Sequence, residues 1–125
     1  MTKEAALYQF WSSFKLPAYE ESSVYSMAGL PTYPYITYEV QTGSFEAVIP
    51  LTASLWYRST NWTDANAKER EIAETIGRGG LTIEIDDGAM HIMRREPFAQ
   101  KMGDSSDDMI KRIVLNIAVE YWTEN

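Results

Sequence analysis

A chain with one histidine and no cysteine has few ways to do chemistry. His91 is the single imidazole, and it sits inside an alternating run that reads as a strand. A zinc site built on one His needs Asp or Glu partners at useful spacing, and none stands there. The commoner fate of such a residue is a partly buried strand position. Ser12-Ser13, Ser22-Ser23 and Ser105-Ser106 lack a Gly-x-Ser-x-Gly frame, so a Ser-His-Asp arrangement has only residue types behind it. Gly77-Arg78-Gly79-Gly80 resembles a phosphate cradle but lacks the Gly-Lys-Ser/Thr ending. It also follows a helical pattern, and a helix C-terminus has the wrong dipole sign for an anion. A helix-to-strand turn that needs positive φ explains it better. Asp104, Asp107 and Asp108 do not match a calcium-loop spacing, and no bidentate Glu follows. They read as a solvated acidic loop. Carboxylate pairs of the glycosidase kind are available among 18 acidic residues, but nothing singles one out. The expectation is no catalytic residue, no cofactor site and no metal site: not an enzyme.

Composition narrows the choice further. A length of 125 residues suits one domain, 1–125, with one real core. The absence of cysteine excludes a disulfide framework and is compatible with a reducing cytoplasm. Apolar runs are interrupted every few residues, so no membrane-spanning helix is expected. The start, MTKEAALYQFW, does not read as a signal peptide. A net charge of −7 repels phosphate backbones, and the pair Arg94-Arg95 is followed at once by Glu96. Eight Tyr and four Trp are many for this length. Such side chains are favoured where protein surfaces meet, and they fill cores equally well.

The elements that would position these residues are organised around Met109 to Trp122. Read at period two, one face is Met109, Lys111, Ile113, Leu115, Ile117, Val119 and Tyr121, nearly all apolar. The other mixes in Arg112, Asn116 and Glu120. The spacing predicts a long central strand, with one face on a helix layer and the other exposed or covered by another copy. Thr2 to Phe14 reads as a helix capped by Thr2, with Leu7, Phe10, Trp11 and Phe14 as its apolar stripe. Ala18 to Pro34 reads as a loop, punctuated by Gly29, Pro31 and Pro34 yet rich in apolar residues. Tyr35 to Gln41 and Val48 to Ser59 read as strands, with a turn at Thr42-Gly43-Ser44. Pro50 places part of the second at an edge or bulge. A helix begins at Asn61 or Thr63 and ends at Gly77, with a thin stripe of Ala65, Ile72 and Ile76. Leu81 to Ile85 and Ala89 to Arg95 are strands joined by Asp86-Asp87-Gly88, and Glu96 to Asp108 is a second loop. The order is α-β-β-α-β-β-β. That predicts an α+β domain: a mostly antiparallel sheet of about five strands with two helices packed on one face.

Three segments carry a resemblance. They are Pro34-Tyr35-Ile36-Thr37-Tyr38-Glu39-Val40, Pro50 to Arg58 (PLTASLWYR), and Asp107 to Asn116 (DDMIKRIVLN). Together with the length and order of elements, they resemble the tail-terminator or tail-completion family of long-tailed bacteriophages and prophages, among the neck and tail-assembly proteins. The resemblance implies a structural subunit that forms a ring, a hexamer, at the head-proximal end of the tail tube. Such a ring stops tube polymerisation and joins the tail to head-completion proteins. Implied partners are further copies of the chain, the major tail-tube protein and a head-completion or connector protein, with DNA only passing through the lumen. Implied localisation is the virion, after assembly in the bacterial host cytoplasm. A ring closed by rotation needs apolar patches on two sides of the subunit. The candidate interface residues are Tyr25, Met27, Tyr33, Trp56, Arg58, Trp62, Arg94, Phe98 and Trp122, with Trp56, Trp62 and Trp122 expected to face outward. The alternative is a small-molecule-binding or hydrolase-like domain that uses the sheet face and aromatic loop as a pocket.

Overall fold

Along the chain the elements are α1 (Lys3–Ser12), β1 (Ala18–Glu20), α2 (Glu21–Val24), β2 (Tyr35–Tyr38), β3 (Val48–Arg58), α3 (Thr63–Ile76), β4 (Leu81–Ile85), β5 (Gly88–Gly103) and β6 (Ile110–Thr123). This computed structural model describes residues 1–24, 29, 31–43 and 47–123. The strands form one sheet in the order β1-β2-β3-β6-β5-β4. Every pairing is antiparallel except β1 with β2, which is parallel. The fold expected from sequence is therefore corrected. The sheet is six-stranded, mixed and curled into a half-barrel, with three helices in place of two, and the molecule is mostly β.

The missed pieces share a cause. Ala18 to Pro34, expected as a loop, holds β1 and the single turn α2. Three residues are too few to show a period. Glu96 to Asp108, also expected as a loop, is largely strand, because β5 resumes pairing with β6 at Ala99 after a register shift beyond Arg94. Asn116 donates to the carbonyl of Pro97 at 2.8 Å and ties the bulged residues back to β6. Pro50 lies where β3 has a neighbour on one side only, since β2 covers just Ala53 to Trp56. Of the expected turn at 42–44, Ser44 lies outside the described residues.

Curling follows from what α1 touches. This helix contacts β1 and β4, the two outermost strands. Laid flat, those strands would stand roughly 24 Å apart, and a ten-residue helix is only about 15 Å long. The sheet therefore wraps around α1 and acquires a concave and a convex face. Leu7, Phe10, Trp11 and Phe14 are buried in the concavity, and Thr2 caps the helix by accepting from the Ala5 amide at 3.1 Å. Helix α3 covers β3, β6 and β5 with Ala65, Ile72 and Ile76. Lys68 on α3 donates to the Phe14 carbonyl at 2.7 Å and links the two helices.

The concave face of β6 is the apolar set read from sequence: Ile113, Leu115, Ile117, Val119 and Tyr121 are all buried. Tyr121 is wholly enclosed and donates to the Gln41 carbonyl at 2.9 Å. Burial is the larger cause, and the charge of Glu4 the smaller, that pushes its hydroxyl up to about 12. At the tip of the β4–β5 hairpin, Gly88 has φ 155° and a Cβ there would lie 1.8 Å from the Trp122 carbonyl oxygen. Only glycine lets the hairpin close against the end of β6.

Candidate functional site

Helices α1 and α3 pack on the concave side, and among the described residues the convex face is bordered by the single turn α2, through Glu21 and Val24. Register places Tyr35, Trp56, Arg112 and Met102 in one row across β2, β3, β6 and β5. Trp56 is flanked on both sides. Tyr35 stacks on it with centroids 6.0 Å apart and planes 13° from parallel, and the Arg112 guanidinium sits 4.6 Å from the ring centroid. Two hydrogen bonds fix the row from the neighbouring one. The Trp56 indole donates to Thr37 Oγ1 at 2.9 Å, and Arg112 Nε donates to Ser54 Oγ at 3.1 Å. Tyr33 and Tyr19 extend the aromatic run, 5.3 and 6.1 Å from Tyr35. Tyr19 is there because β1 pairs with β2, placing it beside Thr37.

These side chains border a groove of about 350 Å³, completed by Val24, Ile110, Glu21 and Asp104. Asp104 is already engaged, accepting from the Ser106 amide and hydroxyl at 2.8 and 2.6 Å. Those bonds hold its carboxyl below the usual range. Tyr35 is pushed up to about 12, first by burial and then by Tyr33, while Arg112 pulls the other way. The Nη amines of Arg112 have no hydrogen-bond or ion-pair partner among the described residues. The groove thus sets one held guanidinium among aromatic rings with two carboxylates, Glu21 and Asp104, in its lining.

A second patch lies at the other end of β6. Trp122 is 46% exposed and borders a groove of about 520 Å³ with Ala89, His91, Met93, Thr82 and Glu120. His91 contributes no free nitrogen to it. Nε2 lies 3.0 Å from the Gly79 carbonyl, to which it can only donate, and Nδ1 lies 2.8 Å from Thr82 Oγ1. Gly80, at φ 87°, makes room, because a Cβ there would fall 2.5 Å from Nε2. The glycine run thus shapes a helix-to-strand turn onto which the imidazole docks. Among the described residues no group of three or more His, Cys, Asp or Glu could hold a metal, and no helix is long and apolar enough to cross a membrane.

Of the residues singled out in the sequence, Tyr33 and Trp56 come together in the first groove and Trp122 lies in the second. Arg58 is exposed and pairs with Asp107 at 3.3 Å. Arg94 is exposed at the start of the β5 bulge. Trp62 and Phe98 pack against the core. The ring of Trp62 carries the ammonium groups of Lys101 and Lys111 at 5.4 and 5.8 Å, so it is a core edge and not an outward side chain. Tyr25 and Met27 lie outside the described residues. Sequence reasoning missed Tyr19, Tyr35, Thr37, Ser54, Met102 and Arg112. Period two puts Tyr35 with Thr37 and Ser54 with Trp56, but which strands are adjacent is not written in any one of them. Comparison with protein-family models, with curated proteins and with solved structures found no match.

Proposed function

We propose that this chain is a non-catalytic structural subunit of the phage tail-terminator or tail-completion kind, built to meet other protein subunits. The observation that supports this reading is the convex face. Its aromatic row, Tyr33-Tyr35-Trp56-Arg112, is composed of the residue types that dominate binding at protein interfaces, with Tyr33, Trp56 and Arg112 half-buried around a buried Tyr35. A second apolar patch around Trp122 lies at the far end of the same strand, as a ring with two different contacts per subunit requires. In this reading the chain forms a ring with its own copies at the end of the tail tube, contacts tail-tube and head-completion proteins, and leaves a lumen for DNA. The test is the particle mass of the full chain by light scattering or mass photometry, alone and with the major tail-tube protein. A closed oligomer in either condition is expected. A strict monomer in both would overturn the reading.

One observation favours a second reading. The groove beside Arg112 has the volume of a small-ligand site, walled by aromatic rings with Arg112, Glu21 and Asp104 as its charged groups. A monomer that retains a bound small molecule through purification would support that reading instead.

A further inference from the structure

We infer that the open edge of β5, Ala99 to Gly103, pairs antiparallel with the same edge of a second copy of this chain, about a two-fold axis at Lys101. The inference goes beyond the ring reading and does not need it. Three observations carry it. First, the edge is bare. The Ser59 amide donates to the Met109 carbonyl at 2.8 Å, so odd-numbered residues of β6 bond toward β3 and even-numbered ones toward β5. Gln100 and Met102 therefore bond to Val114 and Arg112, and the N–H and C=O groups of Ala99, Lys101 and Gly103 point off the sheet. β4 reaches only Gly88 to Ile92, and none of these groups has a partner among the described residues. Second, the other edges are shortened or blocked. Thr52 on β3 has its amide and carbonyl taken by Glu39, at 2.6 and 3.0 Å, and Pro50 offers that side no N–H. β1 is three residues long, and its Glu20 carbonyl accepts from the Ser23 hydroxyl at 2.8 Å. At the end of β4 the Asp86 amide donates to the Met1 carbonyl at 2.7 Å, and the bulge of β5 carries Pro97. Lys101 is the one charge on the bare edge, and its ammonium is turned back over the Trp62 ring, 5.4 Å from the centroid. Third, the edge is complementary to itself. Antiparallel about Lys101, Ala99 lies opposite Gly103 of the other copy, so small side chains meet beside α3. On the convex side Gln100 lies opposite Met102, which is 46% exposed in one copy. A groove of about 330 Å³ runs between this edge and α3, and its charged side chains are Lys101, Glu69 and Arg70. Glu69 and Arg70 have no ion pair among the described residues. Because they stand beside Lys101, a two-fold there sets Glu69 of each copy against Arg70 of the other. The lysines opposed on the axis repel, which their seats over Trp62 and the adjoining Glu69 carboxylates limit. Bare amides accept any strand; the reciprocal charge match selects a second copy.

The experiment measures particle mass against concentration for the full chain, by analytical ultracentrifugation, in the wild type and in variants. Lys101→Pro removes an N–H that points off the sheet, so the ladder with β6 is kept. It is expected to weaken association by about ten-fold or more. Lys101→Thr keeps that N–H and removes the opposed charges, so association is expected to hold or strengthen. Glu69→Arg sets like charges across the axis and is expected to weaken association, more strongly at low salt. Adding Arg70→Glu to it reverses the pair and is expected to restore association. Circular dichroism melting of each variant establishes that it is folded, and if Lys101→Pro does not fold, the charge reversal decides. A folded Lys101→Pro that associates like the wild type would overturn the contact, and a ring of unchanged mass in that variant would do so while leaving the ring reading intact. A wild-type dimer that is lost in Lys101→Pro, with no larger particle, would support the contact without the ring. A wild type monomeric alone that binds the major tail-tube protein, and loses that binding in Lys101→Pro, would overturn the self-contact and assign the edge to a foreign strand. A wild type monomeric in both conditions would overturn both readings.

Discussion

The two faces of one sheet are built from the same strands and alternate along them, yet they do different work. On the concave face of β3 and β6, Leu51, Leu55, Ile113, Leu115 and Val119 are aliphatic, enclosed by α1 and α3. On the convex face the same strands carry Ser54, Trp56, Arg112 and Asn116, held by side-chain hydrogen bonds and ring contacts, and the exposed Trp122. Aliphatic packing is nondirectional and supplies folding free energy through area removed from water. Stacked rings and a pinned guanidinium have direction, and they hold a surface in one shape before anything binds. The contrast teaches that the aromatic surplus is divided: Trp11 and Tyr121 stabilise the fold, and Trp56, backed by the buried Tyr35, lines a surface groove.

That division can be broken by substitution. The largest effect belongs to Trp11→Ala, because Trp11 is 1% exposed and in contact with Phe10, Phe14 and Tyr38. A loss of about 3–5 kcal/mol is expected, read from urea unfolding. Trp62→Ala comes next, at about 2–3 kcal/mol, since the ring lies against the core with two lysines over it. Trp56→Ala is expected to cost less, about 1–2 kcal/mol, because it removes a stack and a cation–π contact at the surface. In an assembly assay the order of the last two should reverse, with Trp56→Ala the more damaging. Equal unfolding losses and equal assembly in both variants would erase the distinction between the faces.

The smallest and most general effect is alkaline. Burial pushes Tyr57, Tyr121 and Tyr35 up to about 12, from an ordinary value of 10. The folded protein therefore holds these protons more tightly than the unfolded chain does. Their contribution to stability is fully present below pH 10 and is lost as the pH rises from 10 through 12. Unfolding midpoints in urea should fall between pH 9 and pH 11.5, with late tyrosinate absorbance at 295 nm. An unchanged midpoint over that interval would mean that these hydroxyls are not enclosed.

Much of the concave half was legible in the amino-acid order. Alternation assigned Ile113 to Tyr121 to one buried face, the i, i+3, i+4, i+7 stripe assigned Leu7 to Phe14 to another, and Asp86-Asp87-Gly88 marked the hairpin. These are local patterns, set by the geometry of a single element. The sixth strand, the parallel pairing of β1 and the resumption of β5 after its bulge were not legible, because they depend on a partner strand.

What the sequence determined by itself is which residues must leave water: the periods of α1, α3 and β6 leave their apolar sets no other place. What only the tertiary structure decided is which of the remaining rings share a surface. Tyr35, Trp56 and Arg112 lie far apart along the chain and become neighbours through strand register alone. Register is a relation between strands, fixed by burying one face, and the opposite face inherits its neighbours as a consequence.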